Sequence, residues 1–247
     1  MKKLLFLSLM LLVAIILNAL PDLRFEVESG LAIPGYNDVR IPNVDPNTMF
    51  SLKNDLNLSP TLHGRLNIHY RITPRNQISL LVTPLTLKAD GKFDRNIRYQ
   101  GTTFFAGEPI EASYRFDSYR LQYRYILAKE FFHIRSIGAS LKLRDAEIAL
   151  ETTGGKKATK TNTGFVPLLS LDAGYRINPK LDLVLQAEGL ASPYGRAEDV
   201  FVGGTYQLKD KLGIKAGYRF LEGGSDIEEV YTFSAVHYLV LGVQVKL

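Results

Sequence analysis

Cysteine is absent from the 247 residues. That excludes a disulfide frame, a thiolate metal site and a lipid-modified cysteine. Long apolar runs are also missing beyond residue 20, because charged residues interrupt every hydrophobic stretch there. No later segment is therefore expected to cross a membrane as a helix, which needs about 20 apolar residues. Charge of one sign is lacking too: 30 Lys and Arg face 25 Asp and Glu, a formal net charge of +5. There is no basic stripe of the kind nucleic-acid binding requires, so nucleic acid is not an expected partner.

What is present begins with MKKLLFLSLMLLVAIILNAL. Two lysines precede an apolar core and the small Ala19, the pattern of a secretory signal. Residues 1–19 are expected to be that signal peptide and residues 20–247 a single domain.

The rest of the chain alternates. In DSYRLQYRYI, Tyr119, Leu121, Tyr123 and Tyr125 share one parity, while Arg120, Gln122 and Arg124 share the other. TLHGRLNIHYRI, KLDLVLQAEGL, KLGIKAGYRF and the C-terminal LVLGVQVKL repeat the pattern. Successive side chains of a strand point to opposite faces, so period two sustained this long predicts strands. Ten such segments are expected, centred near residues 27, 67, 82, 121, 138, 170, 185, 204, 216 and 239.

Connections between them alternate in length. Short links are expected at 73–76, around Ala128–Glu130, at 178–180 and at 209–211. Longer loops are expected at roughly 34–60, 88–112, 145–163, 191–198 and 222–229. Short turns at one end and long loops at the other, with an even strand count, predict a closed, antiparallel, up-and-down transmembrane β-barrel. Ten strands are expected, with eight or twelve as alternatives. The tyrosine and leucine parity then faces lipid and the arginine parity the interior. A soluble, exported, lipocalin-like carrier is the inverted alternative.

DSYRLQYRY, the run GYRFLEGGSDIEEVYTFSAVHYLVLGVQVKL and the segment NDVRIPNVDPNTMFSL resemble a group of uncharacterised bacterial outer-membrane barrel proteins. The resemblance covers most of the chain after the signal, implies fold and location, and brings no assigned activity. The terminal stretch is similar to the assembly signal read by the barrel-insertion machinery, with Leu247 where such signals usually end on an aromatic residue. Outer-membrane lipid and lipopolysaccharide are the expected surroundings, in a Gram-negative-type bacterium, for a monomer with no cofactor.

Candidate functional residues fall into two sets. Inward parity is expected for Arg65, His69, Arg71, Arg120, Arg124, Asp182, Glu188, Lys215 and Arg219, together with Arg24, Glu26, Glu28, Lys142 and Asp172. They would form either a salt-bridge network that plugs the lumen or a narrow pore favouring anions. His63 and His69 share this face about 20 Å apart, too far to hold one metal together. The second set is an outward pair. Ser29 and His237 lie on the first and last strands, which meet when a barrel closes. A nucleophile and base within hydrogen-bond reach on a lipid face would suit a lipid hydrolase or deacylase. A structural or surface-interaction role is the leading expectation and the hydrolase its alternative.

Overall fold

A computed structural model describes residues 22–131 and 133–247; the expected signal peptide lies outside them. In chain order the strands are β1 (Leu23–Arg40), β2 (Phe50–Ser51), β3 (Asn57–Leu58), β4 (Thr61–Thr73), β5 (Asn76–Thr83), β6 (Thr86–Lys92), β7 (Ile97–Tyr99) and β8 (Thr102–Phe104). They continue with β9 (Pro109–Phe131), β10 (Ile134–Thr152), β11 (Lys157–Asn178), β12 (Leu181–Ser192), β13 (Gly195–Lys209), β14 (Leu212–Ile227) and β15 (Val230–Lys246).

Ten of these form the wall. Each pairs antiparallel with its neighbours in the order β1-β4-β5-β9-β10-β11-β12-β13-β14-β15, and β15 returns to β1 over sixteen residue pairs, from Arg24 opposite Lys246 to Arg40 opposite Tyr231. Closure removes the free edges that an open sheet would present. Leu62, Leu80, Leu121, Phe165, Leu169, Val202 and Leu241 stand exposed on the outer surface. Arg120, Gln122, Lys215 and Arg219 are buried inside. An exposed apolar belt around a charged interior is the arrangement lipid requires, and it overturns the lipocalin-like alternative.

The four short links lie at one end, although β9 runs on through 128–130 to Phe131. The other end differs from expectation. Three of the five long loops shrink to 153–156, 193–194 and 228–229, because β10, β11, β12, β13, β14 and β15 run on through the segments read as loops. The reason is an inversion of polarity along the strands. On β9, Arg124, Gln122 and Arg120 face inward; further up the same face Tyr114, Ala112 and Ile110 are buried. The outer face changes in the opposite sense, from Tyr123, Leu121 and Tyr119 to Asp117, Arg115 and Glu111. On β10, Lys142 gives way inside to Ile148 and Leu150, while Leu141 gives way outside to Asp145 and Glu147. Register aligns the change: Tyr119 opposes Leu143, which opposes Phe165, and Asp117 opposes Asp145, which opposes Thr163. Below this line the barrel is built for lipid, and above it for water, with an ordinary apolar core.

That upper core is filled by the two connections that do remain long. β2 pairs with β1, β3 with β6 and β6 with β9, so residues 41–60 and 84–108 fold against the raised wall. Phe50 packs edge-on against Phe93 and Tyr99, each at 5.6 Å between centroids. The Tyr99 hydroxyl donates to the Ile148 carbonyl at 2.9 Å. Phe104 is buried in this core while its neighbour Phe105 is exposed beneath the Lys156 ammonium, 4.7 Å from the ring.

One stretch of wall is incomplete. The β11–β12 ladder stops at Leu169 opposite Gly189, β12 ends at Ser192, and β11 continues to Lys157 with pairing only to β10. Pro167, which has no N–H to donate, stands two residues beyond the last pair, where sheet prolines belong.

Candidate functional site: the charged lumen and its outer cap

The inward side chains of β1, β4, β9, β12, β13 and β14 converge at mid-barrel. Lys215 Nζ donates to Glu26 and to Gln186, each at 2.9 Å, and also to Glu28. The Arg219 guanidinium donates to both Glu28 oxygens at 3.0 Å and to Asp199 at 2.7 Å. Arg65 reaches Asp199 at 3.0 Å and Arg120 reaches it at 2.8 Å. Arg120 and Gln122 both donate to Glu188. Asp199 thus gathers three arginines at one carboxylate. The cluster holds four carboxylates (Glu26, Glu28, Glu188, Asp199) and four cations (Arg65, Arg120, Lys215, Arg219), and so carries no net charge.

Phe201 forms a ledge within this cluster. Its fully buried ring lies 4.1 Å from the Lys215 ammonium. Gly203 and Gly217, paired across β13 and β14, leave it room: a Cβ on Gly217 would come within 2.8 Å of the ring. The spaces left in the network measure about 20 and 10 Å³, room for roughly one water each.

The other expected lumen residues sit apart from this centre. Arg124 meets Asp172 at 3.6 Å, nearer the short-turn end. Asp182 pairs with Arg135 at 3.0 Å and Arg176 at 3.2 Å, and Arg71 is exposed at that mouth. His69 Nδ1 lies 2.8 Å from the Ser79 hydroxyl, whereas His63 stands edge-on to Tyr238 at 4.6 Å. Asp199, the hub, was absent from the expected set. It directly follows the segment read as a loop, yet it shares parity with Phe201 and Gly203, and that parity was the signal available.

Ser29 and His237 do not meet. Strands β1 and β15 do pair, but the register sets His237 opposite Ile33 and Ser29 opposite Leu241. Four positions separate the two, about 13 Å along a strand. The Ser29 hydroxyl donates to the His63 carbonyl at 3.0 Å. His237 Nδ1 is bonded to the Tyr218 hydroxyl, and its ring lies against Phe220 at the upper margin of the apolar belt. A bulge at Gly35 admits the imidazole: a Cβ there would stand 2.7 Å from His237 Nε2. The pair is a boundary histidine and a backbone-bonded serine, not a nucleophile with its base.

Above the network the cap is clamped by ion pairs. Arg95 bridges Asp55 and Asp94, each at 2.9 Å, and Lys156 holds Glu108 at 2.9 Å. Partial burial pushes the Asp55 carboxyl up, but Arg95 and the Ser51 N–H outweigh it and hold it below its ordinary 3.8. Lys156 and the Phe105 N–H hold Glu108 below its ordinary 4.5. Both carboxyls have depressed folded-state values, so their contribution is present above the ordinary values and is lost as pH falls through the lowered ones. Hydrogen-exchange protection factors over 93–108 are expected to stay level from about pH 7 to 5 and to fall below about pH 4. Protection that rises on acidification would show that these pairs do not hold the cap.

A closed ten-stranded barrel with an apolar belt and a charged interior is a transmembrane β-barrel of the outer-membrane type. Its fold is similar to that of the outer-membrane protease OmpT from Escherichia coli, with a TM-score of 0.56 at 8% identity, covering 92% of this chain and 97% of that one. The translocator domain of the autotransporter NalP from Neisseria meningitidis aligns with a TM-score of 0.48 at 12% identity, over 96% of this chain and 95% of that chain. The attachment invasion locus protein Ail of Yersinia pestis aligns at 0.38 and 10% identity, over 91% and 98%. No family model and no curated protein sequence matches the chain. At 8% identity the likeness to OmpT is one of fold.

Proposed function

We propose that this chain is a non-conducting, monomeric outer-membrane barrel that presents a folded head above the membrane as a surface-interaction element. The observation that carries the proposal is the double closure of the lumen. A neutral, hydrogen-bonded ion network fills mid-barrel, and an independent apolar core caps it from above. Opening a path would require unpairing buried charges, which costs several kcal/mol per ion. The raised strands β9, β10 and β11 support a head with its own core and ion clamps, which a plain membrane plug would not require. Outer-membrane lipid and lipopolysaccharide would surround the belt, after export directed by residues 1–19 and assembly by the barrel-insertion machinery.

Single-channel recording in planar bilayers tests the closure. Protein whose folding is verified by a heat-dependent gel shift is expected to give no discrete conductance steps. Reproducible steps, anion-selective or otherwise, would sink the proposal and restore the lumen as a pore lined by Arg65, Arg120 and their neighbours.

A further inference from the structure

The incomplete stretch of wall opens onto a cavity of about 360 Å³, within the ~300–1,000 Å³ range of small-molecule sites. It lies inside the barrel between the ion network and the apolar cap. Its gateway is the notch above Leu169 and Gly189, flanked by Phe165 and Val166 on β11 and by Leu190 and Tyr194 across the gap. Phe165 belongs to the top row of the apolar belt, level with Leu143. The notch therefore begins below the polarity line, within reach of the outer leaflet, and ends above it in water. Leu190 has inward parity yet is 39% exposed, as the missing strand contact requires.

The cavity is two-ended. Its upper wall is apolar, with Ile148, Leu221 and Val230. Its floor is cationic. Lys142 is 2% exposed, lines the cavity, and has no carboxylate within ion-pair distance among the described residues; its ammonium lies 4.6 Å over the Phe116 ring. Arg144, two residues on and on the same face, donates to Asn162, while its Nε is buried without a partner. The rim carboxylates are already engaged: Arg196 binds Glu222 at 2.9 Å, and Arg115 approaches Glu147 at 3.9 Å. In the central network, by contrast, four cations meet four carboxylates. Two adjacent cations without carboxylates, beneath an apolar chamber with a side door, are an exception that needs a counter-charge, because a buried unpaired ion is costly.

We propose that this cavity binds a single-chain anionic amphiphile of the fatty-carboxylate class, entering through the β11–β12 notch. The carboxylate pairs with Lys142 and Arg144, and the alkyl chain lies against Ile148, Leu221 and Val230. The charge of the floor selects the head group, and the cavity volume favours one chain over two.

The natural sequence contains no tryptophan, so a Phe116→Trp variant supplies a single reporter on the cavity floor and Leu239→Trp a control on the lipid face. Both are placed in phosphatidylcholine vesicles and titrated with bromine-labelled dodecanoate, a quencher, or with its uncharged methyl ester. Quenching of the Phe116→Trp reporter should saturate with the carboxylate. Adding Lys142→Met should move the midpoint at least tenfold upward, and the ester should bind at least tenfold more weakly. The lipid-face control should be quenched in proportion to added probe without saturating. Cavity-reporter quenching that tracks the control, or that is equal for acid and ester, overturns the proposal. The ester comparison uses intact Lys142 and decides the question even if Lys142→Met fails to fold.

Discussion

Replacing Asp199 by asparagine is expected to destabilise the folded barrel by about 3–5 kcal/mol, the cost of breaking a buried ion pair from one side. The change is nearly isosteric, so packing around Phe201 is preserved and the effect is electrostatic. Arg219, Arg120 and Arg65 all converge on this carboxylate, at 2.7, 2.8 and 3.0 Å. Without it, three guanidiniums share only Glu28 and Glu188, and Lys215 already draws on Glu28. The measurement is the urea midpoint of the heat-modifiable folded band in lipid vesicles. A variant as stable as the natural barrel would show that water, rather than Asp199, compensates the arginines, and the closed-lumen proposal would weaken with it. A compensated variant, Asp199→Asn with Arg120→Met, should recover part of the loss, because removing both members of a buried pair costs less than stranding one.

Phe50→Ala should act on the other half of the molecule. Deleting a fully buried phenylalanine costs about 3–5 kcal/mol, and Phe50 is the ring against which Phe93 and Tyr99 both pack. The loss should fall on the cap. Proteolysis within 84–108 is expected to accelerate by about two to three and a half powers of ten, since every 1.4 kcal/mol is tenfold. The heat-modifiable gel shift of the wall should stay unchanged, because the cap core and the ion network are separate sets of contacts. Joint loss of both signals would mean that cap and wall unfold as one unit.

The wall was legible because lipid imposes a simple rule: apolar residues outside, polar inside, in strict alternation. Tyr119, Leu121 and Tyr123 against Arg120, Gln122 and Arg124 satisfy it without reference to any other strand. The rule also explains what was misread. Residues 145–151 alternate as the belt does, but with the faces exchanged, so Ile148 and Leu150 read as isolated apolar residues in a polar loop. Period two survives the exchange; the expectation that apolar means outward does not. Register was harder still. The meeting of β1 and β15 followed from topology, but whether Ser29 or Ile33 stands opposite His237 depends on the offset at which a closed sheet joins itself and on the bulge at Gly35, which single-strand parity does not encode. Asp199 was missed for a related reason: its three partners come from β4, β9 and β14, three separate stretches of sequence.

The exact balance of four carboxylates and four cations in the central network has an electrical consequence. A voltage across a membrane does work on a displaced charge, about 2.3 kcal/mol per elementary charge per 100 mV. A cluster whose charges cancel, moving as a unit, presents none of that charge to the field. Applied potential therefore has no handle with which to draw this plug aside, and the barrel should remain shut across the whole voltage range in which larger barrels flicker.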